Sequence, residues 1–101
     1  MRSKASKMIS SYKIKDKKRD LEICDFDIDW MIDNIFNQKC VYCGDTKRLG
    51  CDRINNDVGH IKTNVVPCCY ECNVARGNNF SYDEMKVIGK VIRKIKLHRS
   101  K

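Results

Sequence analysis

The sequence predicts a small α+β fold in which two strands and a helix are clamped by a structural metal and flanked by longer helices. Three observations predict it. Cys40/Cys43 and Cys69/Cys72 form two Cys-x-x-Cys pairs within one short stretch. Apolar residues at helical spacing flank that stretch, over 25–36 and 81–98. Between the pairs lie two short β-like runs separated by a turn-rich segment. At 101 residues the chain is one domain near the lower size at which an apolar core suffices alone, so a structural metal fills a deficit.

The elements follow in order. Residues 1–20 read as a basic N-terminal arm, flexible or partly helical, with only Met8, Ile9, Tyr12 and Ile14 resembling core. A single domain then spans 21–101. Ile28, Met31, Ile32, Ile35 and Phe36 recur at helical spacing, Asp25 or Asp27 can cap the N-terminus, and Trp30 lies on the margin. This helix is expected over the metal. Cys40-Val41-Tyr42-Cys43 is a metal knuckle, with Gly44 permitting its tight exit. Leu49 to Ile54 reads as a strand, 55–59 as a turn, and Val65-Val66 as a second strand ended by Pro67. A helix over 69–76 carries two of the cysteines. Ser81 and Glu84 form a capping box for a longer helix that is expected to bury Met85, Ile88, Val91, Ile92 and Ile95.

Charge and cysteine usage narrow the function. The net charge of +8 is concentrated at the two ends: Arg2, Lys4, Lys7, Lys13, Lys15, Lys17, Lys18 and Arg19, then Lys86, Lys90, Arg93, Lys94, Lys96, Arg99 and Lys101. A duplex carries one phosphate charge per about 1.7 Å of axis and is attracted by such ends. The alternative is a solvated surface that only keeps a small protein soluble. The seven cysteines admit disulfides, but the basic N-terminus never becomes an apolar leader and no stretch approaches a membrane span. The expectation is therefore a cytoplasmic protein with Cys40, Cys43, Cys69 and Cys72 on structural zinc. Cys24, Cys51 and Cys68 read as small core residues.

Asp52 and Asn73 are oxygen donors of the kind that suits Mg²⁺ or Mn²⁺ rather than zinc. Together with Asp52 to His60 (DRINNDVGH), Asn64 to Cys69 (NVVPCC) and Cys72-Asn73, they resemble the ββα-metal core of HNH endonucleases, above all the zinc-bearing forms of phages and mobile elements. The likeness covers about 40–79. Asn79 to Met85 and Ile88-Gly89 extend it, being similar to a stretch of a rare-cutting restriction enzyme of that family.

The resemblance implies a DNA phosphodiester hydrolase, acting on double-stranded DNA with one divalent ion held by Asp52 and Asn73. It implies that Asn64 pins the loop between the strands. A single such site nicks one strand, so cutting both requires a homodimer, a partner or two events. The chain departs from the family where the general-base histidine is expected: Arg53 stands there, and arginine cannot accept a proton. Arg53 then reads as a phosphate clamp.

The base is then His60 or a metal-bound hydroxide acting alone, and His60 reads otherwise as a loop histidine that binds phosphate or caps the second strand. Arg76, Lys86 and Lys90 are expected nucleic-acid contacts, against an idle surface arginine for Arg76. Asp52 could pair with Arg53 on the surface, and Asn73 could make only local helix-end bonds. The competing function is a zinc-stabilised module that binds DNA and cuts nothing.

Overall fold

The computed structural model describes residues 1–99; Ser100 and Lys101, the latter among the basic residues counted above, lie outside them. Arg2–Lys18 is one continuous helix, α1. The segment expected as an arm is thus part of the folded body. Ala5, Ile9, Tyr12 and Asp16 recur every three or four residues and are buried, whereas Ile14 is exposed. The run of lysines masks this face, because an alanine and an aspartate in it do not read as core.

Asp27 caps the next helix by accepting the Trp30 N–H at 2.9 Å. This helix, α2, spans Ile28–Met31 and continues as a π-turn over Ile32–Phe36. Expected over the metal, it packs against α1 and both strands, burying Met31 and Ile35.

The strands β1 (Leu49–Arg53) and β2 (Val65–Cys69) pair antiparallel, Leu49 opposite Cys69 and Arg53 opposite Val65. Pro67 does not end the second strand. A two-stranded sheet has two free edges, so a missing N–H can face outward, and the Pro67 carbonyl accepts the Val41 N–H at 2.9 Å. That bond fastens the knuckle to the sheet.

Helix α3 (Tyr70–Arg76) starts where Cys69 Sγ accepts the Cys72 N–H. Helix α4 (Tyr82–Arg99) starts at the expected capping box: Ser81 N–H donates to Glu84 Oε1 at 2.8 Å, and Glu84 N–H to Ser81 Oγ at 3.1 Å. Gly89 lets α4 touch the knuckle, since a Cβ there would lie 2.4 Å from the Tyr42 carbonyl oxygen. Only Met85 and Gly89 are fully buried; Val91 and Ile95, expected inside, are exposed. The helix packs on α3 and the knuckle, and its apolar stripe is wider than the surface that covers it. Among the described residues no helix is long and apolar enough to cross a membrane.

Candidate active site

The two Cys-x-x-Cys turns meet. The ligand sulfurs of Cys40, Cys43, Cys69 and Cys72 all lie within 4.8 Å of one another and are buried. A tetrahedral zinc with bonds of about 2.3 Å sets its sulfurs about 3.8 Å apart, and Cys43 Sγ lies 3.7 Å from Cys69 Sγ. The donor set therefore fits zinc in a closed site. Lys96 of α4 completes it from outside, its Nζ 3.3 Å from Cys69 Sγ and 3.5 Å from Cys43 Sγ. Asp45 at 2.9 Å and Glu71 at 3.2 Å flank the ammonium. Burial would lower this lysine, but these carboxylates and the Cys69 sulfur raise it well above the ordinary value.

A cleft of about 470 Å³ is lined together by Asp52, Arg53, His60 and Asn73. Asp52, on β1, is buried. Its Oδ2 accepts from the Tyr42 hydroxyl and from Arg76 Nη1. Its Oδ1 has no partner among the described residues, and no fully buried side-chain oxygen or nitrogen lacks one. Oδ1 thus reaches solvent. Asn73, in the first turn and a half of α3, is exposed and its amide makes no bond within the described chain. One carboxylate oxygen and one amide therefore offer themselves to the same space.

His60 is held from two sides. Its ring stacks on Tyr12, centroids 4.1 Å apart and planes 13° off parallel. Its Nδ1 lies 2.7 Å from Asp16 Oδ1, while Asp16 Oδ2 accepts the His60 backbone N–H at 3.0 Å and the Cys24 N–H at 3.1 Å. Burial lowers the imidazole's affinity for a proton, and Asp16 only partly restores it. The neutral ring then donates from Nδ1 to Asp16, leaving Nε2 as its acceptor. Nε2 has no partner in the described chain and, by the same accounting, reaches solvent. Gly59 makes this packing possible: a Cβ there would lie 1.7 Å from the Glu22 carbonyl oxygen and 3.2 Å from Asp16 Cγ.

Asn64 closes the loop that carries His60. Its Oδ1 accepts the Asn55 N–H at 2.9 Å, and its Nδ2 reaches the carbonyls of Asn55, Val58 and Gly59 at 3.0–3.1 Å. Arg53 also serves this loop: Nη1 donates to the carbonyls of Asn56 at 2.8 Å and Val58 at 3.2 Å. Asp52 pairs with Arg76, not with Arg53.

The expectation for Arg76 is corrected. It is buried and bonds Asp52 Oδ2 and the Arg53 carbonyl at 2.5 Å, the Ile54 carbonyl at 3.0 Å and the Phe80 carbonyl at 3.1 Å. Burial would lower it, but Asp52 and Tyr42 raise it above the usual arginine value. It orients Asp52 and cannot reach a phosphate. Lys86 and Lys90 do not line the cleft; Lys86 lies 4.2 Å over the Tyr82 ring.

Three contributors were not singled out by sequence reasoning: Asp16, Tyr12 as a stacking partner, and Tyr42. Asp16 carried a signal, being the lone acid among the first nineteen residues. No known family profile matches the chain, nor does any curated protein. A solved structure does: that of the rare-cutting HNH restriction endonuclease PacI, described for its mechanism of DNA perturbation. It is 22% identical, with 96% of this chain and 82% of that chain covered and a TM-score of 0.78. The fold is HNH-like.

Proposed function

We propose that this chain is a metal-dependent HNH endonuclease that hydrolyses DNA phosphodiester bonds. One observation carries the reading: Asp52 Oδ1, the Asn73 amide and His60 share a cleft, each with an atom the fold has left without a partner. A protein that needed these residues only for stability would have bonded them inward. The likeness to PacI supports the reading by analogy of fold.

Asp52 Oδ1 and the Asn73 amide oxygen would hold one Mg²⁺ or Mn²⁺, which when bound neutralises charge on the phosphate and the leaving oxygen. His60 Nε2 takes the proton of the attacking water. Asp16, bonded to Nδ1, fixes the tautomer that makes Nε2 an acceptor and stabilises the imidazolium that results. As the new P–O bond forms, the P–O3′ bond breaks and the 3′ oxygen leaves with its electron pair, to be protonated from solvent. Arg53, whose Nε and Nη2 make no bond within the described chain, would donate to a phosphate oxygen in the cleft it lines. Tyr42 and Arg76 hold Asp52 so that one oxygen faces the cleft.

The pairing of Asp52 with Arg76 favours a second reading. A carboxylate already neutralised by a guanidinium is a weaker cation ligand, as a DNA-binding module without chemistry would permit. Supercoiled plasmid with zinc-loaded protein separates the two. The nuclease gives open circles or linear DNA with Mg²⁺ or Mn²⁺, none with EDTA, and none from Asp52→Asn or Asn73→Ala. Intact plasmid that is retarded on a gel in every lane establishes the binding module.

A further inference from the structure

Helix α1 presents a second face to the cleft. Lys4, Met8, Tyr12, Lys15 and Arg19 follow one another at intervals of three and four residues, and all line the cleft that holds Asp52 and His60. Across it stands Arg48, also lining the cleft, its guanidinium 4.3 Å over the exposed Tyr70 ring.

These cations are not compensated. Among the described residues, Lys15, Arg19 and Arg48 make no ion pair and no side-chain hydrogen bond. Arg19 acts as a like charge on both Arg53 and His60, so the wall is crowded with positive charge. The cations that are held in ion pairs, Arg2, Arg76, Lys86, Lys96 and Arg99, all lie outside this cleft. Arg48 is moreover held at φ 55°, a left-handed conformation that costs an L-residue roughly 1–2 kcal/mol relative to glycine. Strain kept at a cleft mouth, where glycine would relieve it, marks a side chain wanted there.

We propose that the cleft-facing side of α1, with Lys15 and Arg19 at its centre and Lys4 at its far end, is a track for the phosphate backbone of duplex DNA, closed on the opposite side by Arg48. The proposal rests on the nuclease reading for its purpose but not for its geometry. From Lys4 to Arg19 the helix rises about 22 Å at 1.5 Å per residue. Laid parallel to the duplex axis, where one strand rises about 3.4 Å per phosphate, this length matches about six to seven phosphates. The track replaces the expectation that Lys86 and Lys90 of α4 carry the DNA.

The test is binding of zinc-loaded protein to a short fluorescent duplex in EDTA-free buffer without Mg²⁺ or Mn²⁺, across 50–200 mM salt (chosen concentrations). Each phosphate contact contributes about 0.9 to the slope of log K against log salt. Lys15→Ala/Arg19→Ala is expected to reduce the slope by about 2, and Arg48→Ala by about 1. Affinity at 100 mM salt falls about eight-fold per contact removed, from the same relation. Lys86→Ala/Lys90→Ala leaves the slope unchanged. All are exposed positions, and circular dichroism checks that the fold is retained. A slope unaltered in the α1 and Arg48 variants, or a larger loss in the α4 variant, overturns the proposal. Because cleavage is not measured, failure of the track is distinct from failure of the nuclease reading, which the plasmid assay alone decides.

Discussion

The cysteine cluster and the cleft both draw residues from the same two short strands, Cys69 from β2 in one and Asp52 and Arg53 from β1 in the other, yet they are finished differently. At the cluster all four sulfurs converge on one point, backbone N–H groups face them, and Lys96 closes the outside. At the cleft the fold stops halfway: Asp52 has one oxygen bonded and one open, His60 one nitrogen bonded and one open, and Asn73 none bonded. A structural site satisfies its atoms internally, because an unpaired buried polar group costs about 1–3 kcal/mol. A working site keeps part of that capacity for its substrate.

Breaking the cluster is expected to have the largest effect. Structural zinc contributes about 10–16 kcal/mol of apparent binding free energy at neutral pH in small metal domains, more than the total stability of most domains of this size. A strong chelator, or Cys72→Ser, is expected to unfold the chain, read as loss of helical circular dichroism. Retention of the fold without metal would place the cluster among ordinary buried thiols and remove half of the contrast.

Asp52 tests the other half, and the choice of substitution matters. Asp52→Ala leaves Arg76 charged and buried without its partner, which costs about 3–5 kcal/mol. Asp52→Asn keeps a hydrogen-bond acceptor for Arg76 and Tyr42 while removing the charge. Cleavage is expected to fall at least about 100-fold in both, the scale of losing one transition-state charge stabiliser, whereas only the alanine variant loses most of its stability in urea. Equal destabilisation by both would mean that Asp52 serves Arg76 and little else.

These two regions also differ in how far the sequence disclosed them. Each Cys-x-x-Cys pair and the Ser81/Glu84 box are local: their members stand three residues apart, and it is the repeated Cys-x-x-Cys spacing that points to the meeting of two turns 26 residues apart. Asp52, Arg53, His60 and Asn73 were placed in one site by the resemblance to HNH endonucleases, and the structure lines one cleft with them. Asp16 was not legible, because it lies 44 residues from His60 on a helix whose buried side is hidden among lysines. Arg76 was misread for the converse reason. Nothing local marks an arginine as buried; its burial depends on Asp52 and the Arg53 and Ile54 carbonyls, more than twenty residues earlier in the chain, and on the Phe80 carbonyl.

The Asp16–His60 pair gives a pH-dependent prediction of intermediate size. The folded-state pKa of His60 lies below its ordinary value because burial disfavours the cation. Below about pH 6.5, the ordinary histidine pKa, the unfolded chain binds a proton that the folded chain resists, so stability falls as pH falls through that value. His60→Gln is expected to flatten this limb of the melting-temperature profile between pH 7 and 5. Asp16→Asn is expected to reduce cleavage by about 100-fold or more, as loss of an oriented base does, and to move His60 toward the other tautomer in nitrogen-resolved NMR. An unchanged tautomer would confine Asp16 to its backbone bonds with Cys24 and His60.

The smallest expected effect is the most specific to the contrast, because its sign is opposite for stability and for function. Arg48 sits at φ 55° at the mouth of the cleft, and no comparable strain falls on any of the four ligand cysteines. Arg48→Gly and Arg48→Ala both remove the guanidinium and its stack on Tyr70, so the difference between them isolates the backbone. Glycine enters this conformation without a Cβ clash, which favours it over alanine by about 1–2 kcal/mol. Its greater freedom in the unfolded chain returns about 0.4–1 kcal/mol of that. The glycine variant should therefore be the more stable of the two, by about 0.8 kcal/mol at the middle of these ranges and at most about 1.6 kcal/mol, in urea unfolding, with equal loss of DNA affinity in both. Alanine as stable as glycine would show that the backbone at 48 carries no strain, and that Arg48 stands there for its packing on Tyr70 rather than against a conformational cost.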